Sequence, residues 1–267
     1  FYRQRRMTQD DLLTQGTSFS NGASLSVDKV TKTFPSYEGE QKFTALSEVS
    51  FSLCEGDAAL IAGANGSGKS VLMSIIASLD KADSGTVEIL CGGKAAHCGL
   101  VFQEAEMQLL GETPIEDVMF GLKNIGLKKR EAERKALDVL AEVGLAGKEK
   151  SSARFLSGGE KRRLAVAGII ALDMPLVIFD EPYANLDYSG VRHVNALIKL
   201  LKKKGVTIII LTHELEKSLA LCNRFIVLYR GKKVFDGKSA EGLAQKLEAW
   251  DIKNPLASYK SLRDLEW

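Results

Sequence analysis

Residues 63–70 read Gly-Ala-Asn-Gly-Ser-Gly-Lys-Ser and directly follow the apolar run Ala58-Ala59-Leu60-Ile61-Ala62. The octapeptide fits the pattern G-x-x-x-x-G-K-[ST] of a phosphate-binding loop. Its three glycines let the backbone curl so that successive N–H groups point toward an anion. The apolar run predicts a buried strand, and Val71-Leu72-Met73 predicts a helix whose N-terminus also favours negative charge. The alternative is a glycine-rich turn without a ligand.

The loop predicts a nucleoside triphosphate with Mg²⁺ as its ligand. Lys69 is expected to reach the β- and γ-phosphates, and the Ser70 hydroxyl is expected to ligate the metal. Backbone N–H groups are expected to hold further phosphate oxygens. The nucleotide contacts predicted in this stretch belong to Gly63, Ala64, Asn65, Gly66, Ser67, Gly68, Lys69, Ser70 and Val71.

The composition fits one large α/β domain or two small ones. The 267 residues are 45% hydrophobic and carry a net charge of +2, which gives no argument for nucleic acid as a partner. Four cysteines without metal-ligand spacing predict reduced thiols in a cytosolic protein. The basic clusters at 128–130, 161–163 and 202–204 predict solvated helix surface. No uninterrupted apolar run approaches the roughly 18 residues that span a bilayer.

The first part of the chain predicts a lead-in followed by two strands. Residues 1–24 are mostly polar and predict a mobile segment, in which residues 1–6 before Met7 need not be native. Loosely alternating apolar residues predict one strand from Leu25 and a second over 45–53. A polar loop between them carries Phe34 and Tyr37, either of which could stack on a purine base; core packing is the alternative for Phe34.

Two further strands, at 86–90 and 99–102, are predicted around a Gly-Gly turn at 92–93. Gln103 follows the second of them directly. A glutamine at a strand end that faces phosphates can ligate Mg²⁺ or hold the attacking water through its amide.

A mostly helical segment is predicted over about 104–165, between strands of the core. Thr113-Pro114-Ile115-Glu116 has the residues of a capping box and predicts a helix start, and helical periodicity continues to Val143. Ser157 and Glu160 repeat the capping-box spacing around Gly158 and Gly159. A helix N-terminus left bare by two glycines can bind a phosphate, although an ordinary capped helix has the same pattern.

Polar residues end two later strands. The continuous apolar run 176–179 predicts a strand buried on both faces, and Asp180-Glu181 follows it at the end where α/β sheets bind their ligands. Asp180 suits Mg²⁺ coordination, and Glu181 suits proton transfer from the attacking water. The last strong predicted strand, 206–211, ends before His213, which could contact the γ-phosphate. His97 and His193 have no comparable placement.

Together these motifs resemble the nucleotide-binding domain of ATP-binding cassette (ABC) proteins, over roughly residues 25 to 240. They occur in order as the phosphate loop, Gln103, the signature Leu156-Ser157-Gly158-Gly159-Glu160, Asp180-Glu181, Asn185-Leu186-Asp187 and His213. The resemblance implies an α/β P-loop NTPase fold. That fold has a RecA-like parallel-sheet core, an antiparallel β subdomain and an inserted α-helical subdomain at about 104–165.

The resemblance also implies how the site works. Two such domains face each other head to tail, so that the signature residues Ser157, Gly158, Gly159 and Glu160 close on ATP held by the other subunit's phosphate loop. Asp187 and its neighbours would link the two sites. Glu181 is then the catalytic base, His213 the γ-phosphate switch and Gln103 a catalytic and metal-facing lever toward a membrane partner. Lys69 is also assigned to catalysis, Ser70, Gln103 and Asp180 to Mg²⁺, and Phe34, ahead of Tyr37, to stacking on adenine.

A narrower resemblance links residues 100–110, 116–122 and 159–168 to the ATPases of energy-coupling-factor importers, which take up vitamins and transition-metal ions. In that group the segment after Gln103 forms an extra helix that faces a transmembrane coupling protein. This chain departs from the usual pattern at Glu104-Ala105, where Asn-Pro is common. It also has Val71 and Tyr183 where threonine is usual, and Tyr183 could tune the interface or mark one member of an unequal pair.

The leading interpretation is the ATP-hydrolysing subunit of such an importer, peripheral on the cytoplasmic face of the membrane. The expected partners are a second ABC ATPase subunit, identical or paralogous, a transmembrane coupling protein, and a separate substrate-binding membrane subunit; nucleic acid is not expected. The alternatives are a soluble ABC ATPase that acts on nucleic acid or ribosomes, another ABC transporter class, and a regulator without turnover. Residues 241–267 are expected to pack on the domain or to dimerise.

Overall fold

The computed structural model describes residues 22–35 and 42–256. The predictions for most of the lead-in, for Tyr37 and for the last eleven residues therefore lie outside the described ranges. Two β-sheets and seven α-helices make up the described part.

The ten strands fall into two sheets. In the larger, six-stranded sheet the order is β10-β9-β3-β8-β7-β6; all neighbours are parallel except the antiparallel edge pair β9–β10. The second sheet is antiparallel with the order β2-β1-β4-β5. The strand bounds are β1 Ser24–Pro35, β2 Lys42–Leu53, β3 Ala58–Ala62, β4 Ser84–Cys91, β5 Lys94–Ala95, β6 Cys98–Val101, β7 Leu176–Asp180, β8 Thr207–Leu211, β9 Arg224–Tyr229 and β10 Lys232–Lys238.

Helices connect most of the parallel strands. Both predicted capping boxes are present, at Thr113 with Glu116 and at Ser157 with Glu160. The helix bounds are α1 Lys69–Ile76, α2 Pro114–Asn124, α3 Lys129–Glu142, α4 Gly158–Ala171, α5 Tyr188–Lys203, α6 Leu215–Ser218 and α7 Ser239–Leu243. Short 3₁₀ helices occur at Ala105–Gln108, Ala153–Phe155, Leu219–Leu221 and Leu247–Trp250.

The central parallel strands β3, β7 and β8 are buried on both faces, which explains their continuous apolar sequences. In β3, Leu60 and Ala62 pack with the helices α2 to α5 on one side of the sheet. Ala59 and Ile61 pack with α1 and the antiparallel sheet on the other side. The pleat of a strand alternates its side chains in this way, so one five-residue strand contributes to both cores.

The structure confirms the predicted α/β fold class, with a parallel core and an antiparallel sheet. Helices α2, α3 and most of α4 occupy the stretch where a helical insert is predicted; the division of the chain at residues 25, 104, 165 and 240 stays a prediction. Among the described residues, no helix combines the length and apolar character needed to cross a membrane.

Several local predictions are wrong. The Gly92–Gly93 turn joins β4 to the short β5, and β6 belongs to the other sheet, because β6 pairs with the buried β7 instead. Two strands, β9 and β10, follow the strand predicted to be the last strong one. Phe34 lies inside β1 and not in a loop, because β1 continues to Pro35.

One prediction about side-chain exposure also needs correction. Arg162, in a cluster predicted to be solvated, is only 5% exposed because its side chain packs beneath the segment after β6. Tyr183 is fully buried, and its suggested roles, tuning the interface or marking one member of an unequal pair, stay predictions. Among the described residues, the four cysteines form no disulfide, and the reduced state stays a prediction. The described part of the C-terminal segment packs on the domain through Leu247, and Trp250 lies 6.4 Å from the Phe235 ring.

Candidate functional site

The segments that carry the predicted catalytic groups lie along one edge of the larger sheet. Strands β3, β6, β7 and β8 are mutually parallel, so their carboxyl ends lie at the same edge. The phosphate loop follows β3, Gln103 comes two residues after β6, Asp180 ends β7, and His213 comes two residues after β8.

The phosphate loop needs its glycines for three different reasons. A Cβ on Gly63 would lie 2.3 Å from the Leu228 carbonyl oxygen. Gly66 has φ +78°, in the left-handed region, with open space around it. Gly68 has φ +103°, and a Cβ there would lie 2.7 Å from the Ala45 carbonyl oxygen, so β2 packs directly against the loop.

Helix α1 begins at Lys69, the seventh residue of the loop, and its N-terminus has no local capping or acidic side chain. Its N-cap, Gly68, supplies no side-chain hydrogen bond, and its first turn has no acidic residue. The free backbone N–H groups and the positive end of the helix dipole therefore remain available to a phosphate.

Lys69 is held inside the loop. Its ammonium group donates to the Gly63 carbonyl at 2.6 Å and to the Ala64 carbonyl at 3.2 Å, and lies 4.0 Å from Glu181 Oε1. The side chain is only 7% exposed, and this burial lowers the pKa of Lys69, while Glu181 and Asp180 oppose the shift. An anion at the loop would favour the charged ammonium in the same way.

Asp180 and Glu181 form a strained acidic pair. Burial, together with the neighbouring Glu181 charge, raises the pKa of Asp180, and Lys69 counteracts this. Glu181 has φ +42°, and its backbone N–H donates to the Leu211 carbonyl at 2.8 Å. Its Oε2 atom is buried and has no hydrogen-bond partner within the described chain. A left-handed non-glycine residue and an unpartnered carboxylate oxygen are both costly, and such costs concentrate at functional sites.

His213 lies beside that carboxylate. Its Nδ1 atom is 3.1 Å from Glu181 Oε1. The structure therefore brings Lys69, Asp180, Glu181 and His213 together, although they are distant in sequence. His97 and His193 are exposed, and no described interaction ties them to this edge of the sheet.

The donor groups at this edge fit Mg²⁺ bound together with nucleotide phosphates. Asp180 and the exposed Ser70 offer hard oxygen donors, and a cation would offset the burial and the Glu181 repulsion that raise the pKa of Asp180. Within the described ranges, no cluster of three or more His, Cys, Asp or Glu side chains could hold a metal alone. This is the usual situation for Mg²⁺, which binds through one or two protein groups and substrate phosphates.

Gln103 has an exposed side chain, while its backbone is fixed from below. Its carbonyl oxygen accepts a 2.8 Å hydrogen bond from Nη2 of the buried Arg162. Lys161 forms a 2.6 Å ion pair with Glu106 in the 3₁₀ helix. Two consecutive basic residues at the start of α4 thus tie the signature helix to the segment after Gln103.

The signature residues lie at the start of α4 with an open surface. A Cβ on Gly158 or Gly159 would meet no atom within 4 Å, so packing within this chain does not require glycine there. Glu160 bonds to Lys148 and to the Ser157 N–H, and these bonds lower the pKa of Glu160 to about 2. No hydrogen bond or ion pair among the described residues joins the signature to the phosphate loop.

The aromatic residue proposed for base stacking is partly accessible. Phe34 is 36% exposed, and the Lys32 ammonium lies 5.4 Å from its ring centroid. Directly opposite Phe34 on β2 is Phe43, which is 59% exposed. Phe43 is not among the residues that the sequence analysis assigns to the site; Ala45, two residues later on β2, has its carbonyl oxygen against Gly68 of the phosphate loop.

Two other residues at the site were missed. Arg162 gave no sequence signal beyond a basic cluster, since only the fold shows that it is buried. Asn195, inside a helix, gave no sequence signal. Its Oδ1 accepts a 2.8 Å hydrogen bond from the Tyr183 hydroxyl. The only hint was the departure at Tyr183 itself.

The fold and the site define a P-loop NTPase of the α/β class. The model of the ABC transporter family matches residues 46–184. The energy-coupling factor transporter ATP-binding protein EcfA of Methanocaldococcus jannaschii is 35% identical over 73% of this chain and 74% of its own length. The cobalt import ATP-binding protein CbiO of Rhodobacter capsulatus is 33% identical over 83% of this chain and 81% of its own. The chain belongs to the ABC transporter family and is an ABC-type ATPase.

Solved structures give the same result. CbiO1 from Clostridium perfringens, described as part of the ABC transporter complex cbiONQ, has a TM-score of 0.72 at 29% identity, over 83% of this chain and 91% of its own. The ATP-binding cassette MJ0796, a dimer in a post-hydrolysis state with ADP and Pi, has a TM-score of 0.69 at 27% identity, over 80% of this chain and 98% of its own. The predicted family resemblance is therefore confirmed.

Proposed function

We propose that this chain is the ATPase subunit of an ABC-type importer of the energy-coupling-factor class, for a vitamin or a transition-metal ion. It acts at the cytoplasmic face of the membrane as one half of a dimer that ATP closes. The observation that carries this proposal is the separation of two half-sites. Lys69, Glu181 and His213 are assembled at one sheet edge, while the bare signature glycines face open space.

The proposed dimer completes each site with the partner's signature. A γ-phosphate bound at one phosphate loop would receive the N-terminus of the partner's α4, where Ser157 and the free N–H groups can donate. The closed state is then favoured only while the triphosphate contacts both subunits, and hydrolysis removes that preference. The dimeric neighbour with ADP and Pi supports this arrangement.

In the proposed hydrolysis, the residues at the sheet edge have distinct tasks. Glu181 accepts the proton of a water as the water oxygen bonds to the γ-phosphorus, and the bond from that phosphorus to the bridging oxygen breaks, releasing ADP and phosphate. Lys69 neutralises charge on the β- and γ-phosphates, and His213 orients Glu181 and contacts the γ-phosphate. Bound Mg²⁺, held by Ser70, Asp180 and the Gln103 amide, would supply further charge neutralisation.

The membrane partner is proposed to dock on an apolar surface beside Gln103. We call this the α2 surface, after the helix that carries Phe120. Its other exposed side chains, Phe102, Met107 and Leu110, come from the segment between β6 and α2. An open pocket there is lined by Leu110, Gly111, Glu112, Glu116, Phe120, Lys123 and Asn124. Apolar residues bordered by two glutamates suit a partner segment that carries apolar and basic side chains.

Affinity purification of the tagged chain from native membranes tests the proposal. We expect a polytopic membrane protein to co-purify, and Leu110→Asp to abolish its recovery while ATP binding stays unchanged. Leu79→Asp is the matched control, because Leu79 is also an exposed leucine but lies away from the α2 surface. Consistent recovery of ribosomes or DNA, or equal losses in both variants, would refute the importer proposal.

A further inference from the structure

A partly buried chain of hydrogen bonds connects the segment after Glu181 to the segment that carries His213. The Tyr183 hydroxyl donates to Asn195 Oδ1 at 2.8 Å. Asn195 in turn donates from Nδ2 to the Lys217 carbonyl at 2.9 Å. Lys217 belongs to α6, which begins two residues after His213.

Local hydrogen bonds tie the residues around His213 to one another, so a bond at Lys217 also constrains His213. The Lys217 ammonium pairs with the Glu214 carboxylate, and the Lys217 N–H donates to the Glu214 carbonyl at 3.3 Å. The Glu214 N–H donates to the Thr212 hydroxyl at 3.1 Å. His213 lies between two residues that are held in this way, and its side chain has a single described contact, with Glu181.

Tyr183 is suited to this role by its burial. The phenol is fully buried, and burial raises its pKa, so the hydroxyl stays protonated and can donate a hydrogen bond to Asn195. A residue with a shorter side chain at position 183 would not reach helix α5. The Tyr183 carbonyl accepts a 3.2 Å hydrogen bond from the Leu186 N–H, which links Tyr183 to the segment that contains Asn185 and Asp187.

We propose that Tyr183 and Asn195 are positioning residues that hold His213 against Glu181, and that they set the rate of hydrolysis without contributing to nucleotide affinity. Neither side chain has a described contact with the phosphate loop, so ground-state binding of the nucleotide should not depend on them. The inference rests on the proposed roles of Glu181 and His213.

The test compares Tyr183→Phe and Asn195→Ala with Ser239→Ala in the full chain. Tyr183→Phe keeps the buried ring and removes only the hydroxyl. Ser239→Ala also removes a hydroxyl, one that donates to the Cys222 carbonyl at 2.7 Å and takes no part in the site, and so controls for lost stability. We expect kcat to fall five- to tenfold in the first two variants, the Kd for ADP to stay within twofold, and Ser239→Ala to match the parent.

A second readout follows His213 directly. The chain has three histidines, so the His213 imidazole signal in an NMR spectrum can be assigned from His213→Gln. It should shift in Tyr183→Phe and Asn195→Ala and stay unchanged in Ser239→Ala. An unchanged kcat, an equal loss of ADP binding, or an unchanged imidazole signal would overturn the inference; should one variant fail to fold, the other decides. If Glu181→Gln retains the parent rate, the assignment of the base fails instead, and the two failures are distinguishable.

Discussion

Replacement of Glu181 by glutamine gives a sharp test of the assigned catalytic base. The change conserves size at a side chain that is 15% exposed and removes one negative charge beside Asp180. General-base catalysis contributes roughly 10²- to 10⁴-fold to a rate, so kcat should fall by about that factor. The fold should survive, because the hydrogen-bonding partners of Oε1 can also bind an amide.

The same substitution should tighten ATP binding. Two unit charges about 5 Å apart repel by about 3 kcal/mol at an effective dielectric constant of about 20, and solvent and salt screening reduce this to about 1–2 kcal/mol. Removing the repulsion between Glu181 and the γ-phosphate should therefore lower the Kd for ATP roughly 5- to 30-fold. ADP lacks that phosphate and should bind with a much smaller change.

Titration calorimetry with ATP and ADP, steady-state hydrolysis, and light scattering for the ATP-dependent dimer measure these effects. Glu216→Gln provides the matched control, because Glu216 is an exposed glutamate on α6 without a described role. Hydrolysis by Glu181→Gln at the parent rate would show that Glu181 is not the base. Equal changes for ATP and ADP would refute the electrostatic argument.

Three further predictions concern the phosphate loop, the stacking of the nucleotide base and the signature. Gly68→Ala should lower the free energy of unfolding by about 2 kcal/mol or more and abolish ADP binding, because it combines a left-handed φ with a steric clash. The control Gly159→Ala has open space around it and should leave the free energy of unfolding unchanged. Equal losses of stability for the two variants in urea unfolding would contradict this. Phe34→Ala should weaken ADP binding roughly five- to tenfold and leave inorganic tripolyphosphate binding unchanged in calorimetry, whereas a loss for both ligands would exclude base stacking. The lowered pKa of Glu160 stabilises the fold above about pH 4.5, and this contribution is lost as the pH falls toward 2. Glu160→Gln should therefore reduce the loss of unfolding free energy at acid pH by about 1 kcal/mol, after solvent screening. Parallel curves of unfolding free energy against pH for the parent and the variant would argue against this.

Local sequence signals located most of the core correctly. The runs at 58–62 and 176–179 are continuous and apolar because parallel strands are buried on both faces, and both are strands in the structure. The two capping boxes are short-range hydrogen-bond patterns, which the local sequence is sufficient to specify. Strand pairing is a long-range property, and the pairing around Gly92–Gly93 was accordingly predicted wrongly.

The chemistry available at the site could be predicted from the residues alone. A backbone that curls around phosphate needs glycines at fixed spacing, and a phosphate loop, a signature and an Asp-Glu pair in this order are specific to the ABC family. Residue types and short spacings are therefore sufficient to identify the class of protein.

Which side chains meet at the site is a property of the three-dimensional fold. His213 lies 3.1 Å from Glu181 because β7 and β8 are neighbouring parallel strands, and Tyr183 reaches Asn195 because helix α5 packs beside them. Contacts between residues far apart in sequence depend on the packing of whole elements, which no local pattern encodes. The burial of Arg162 and the open surface at Gly158 follow from the same packing.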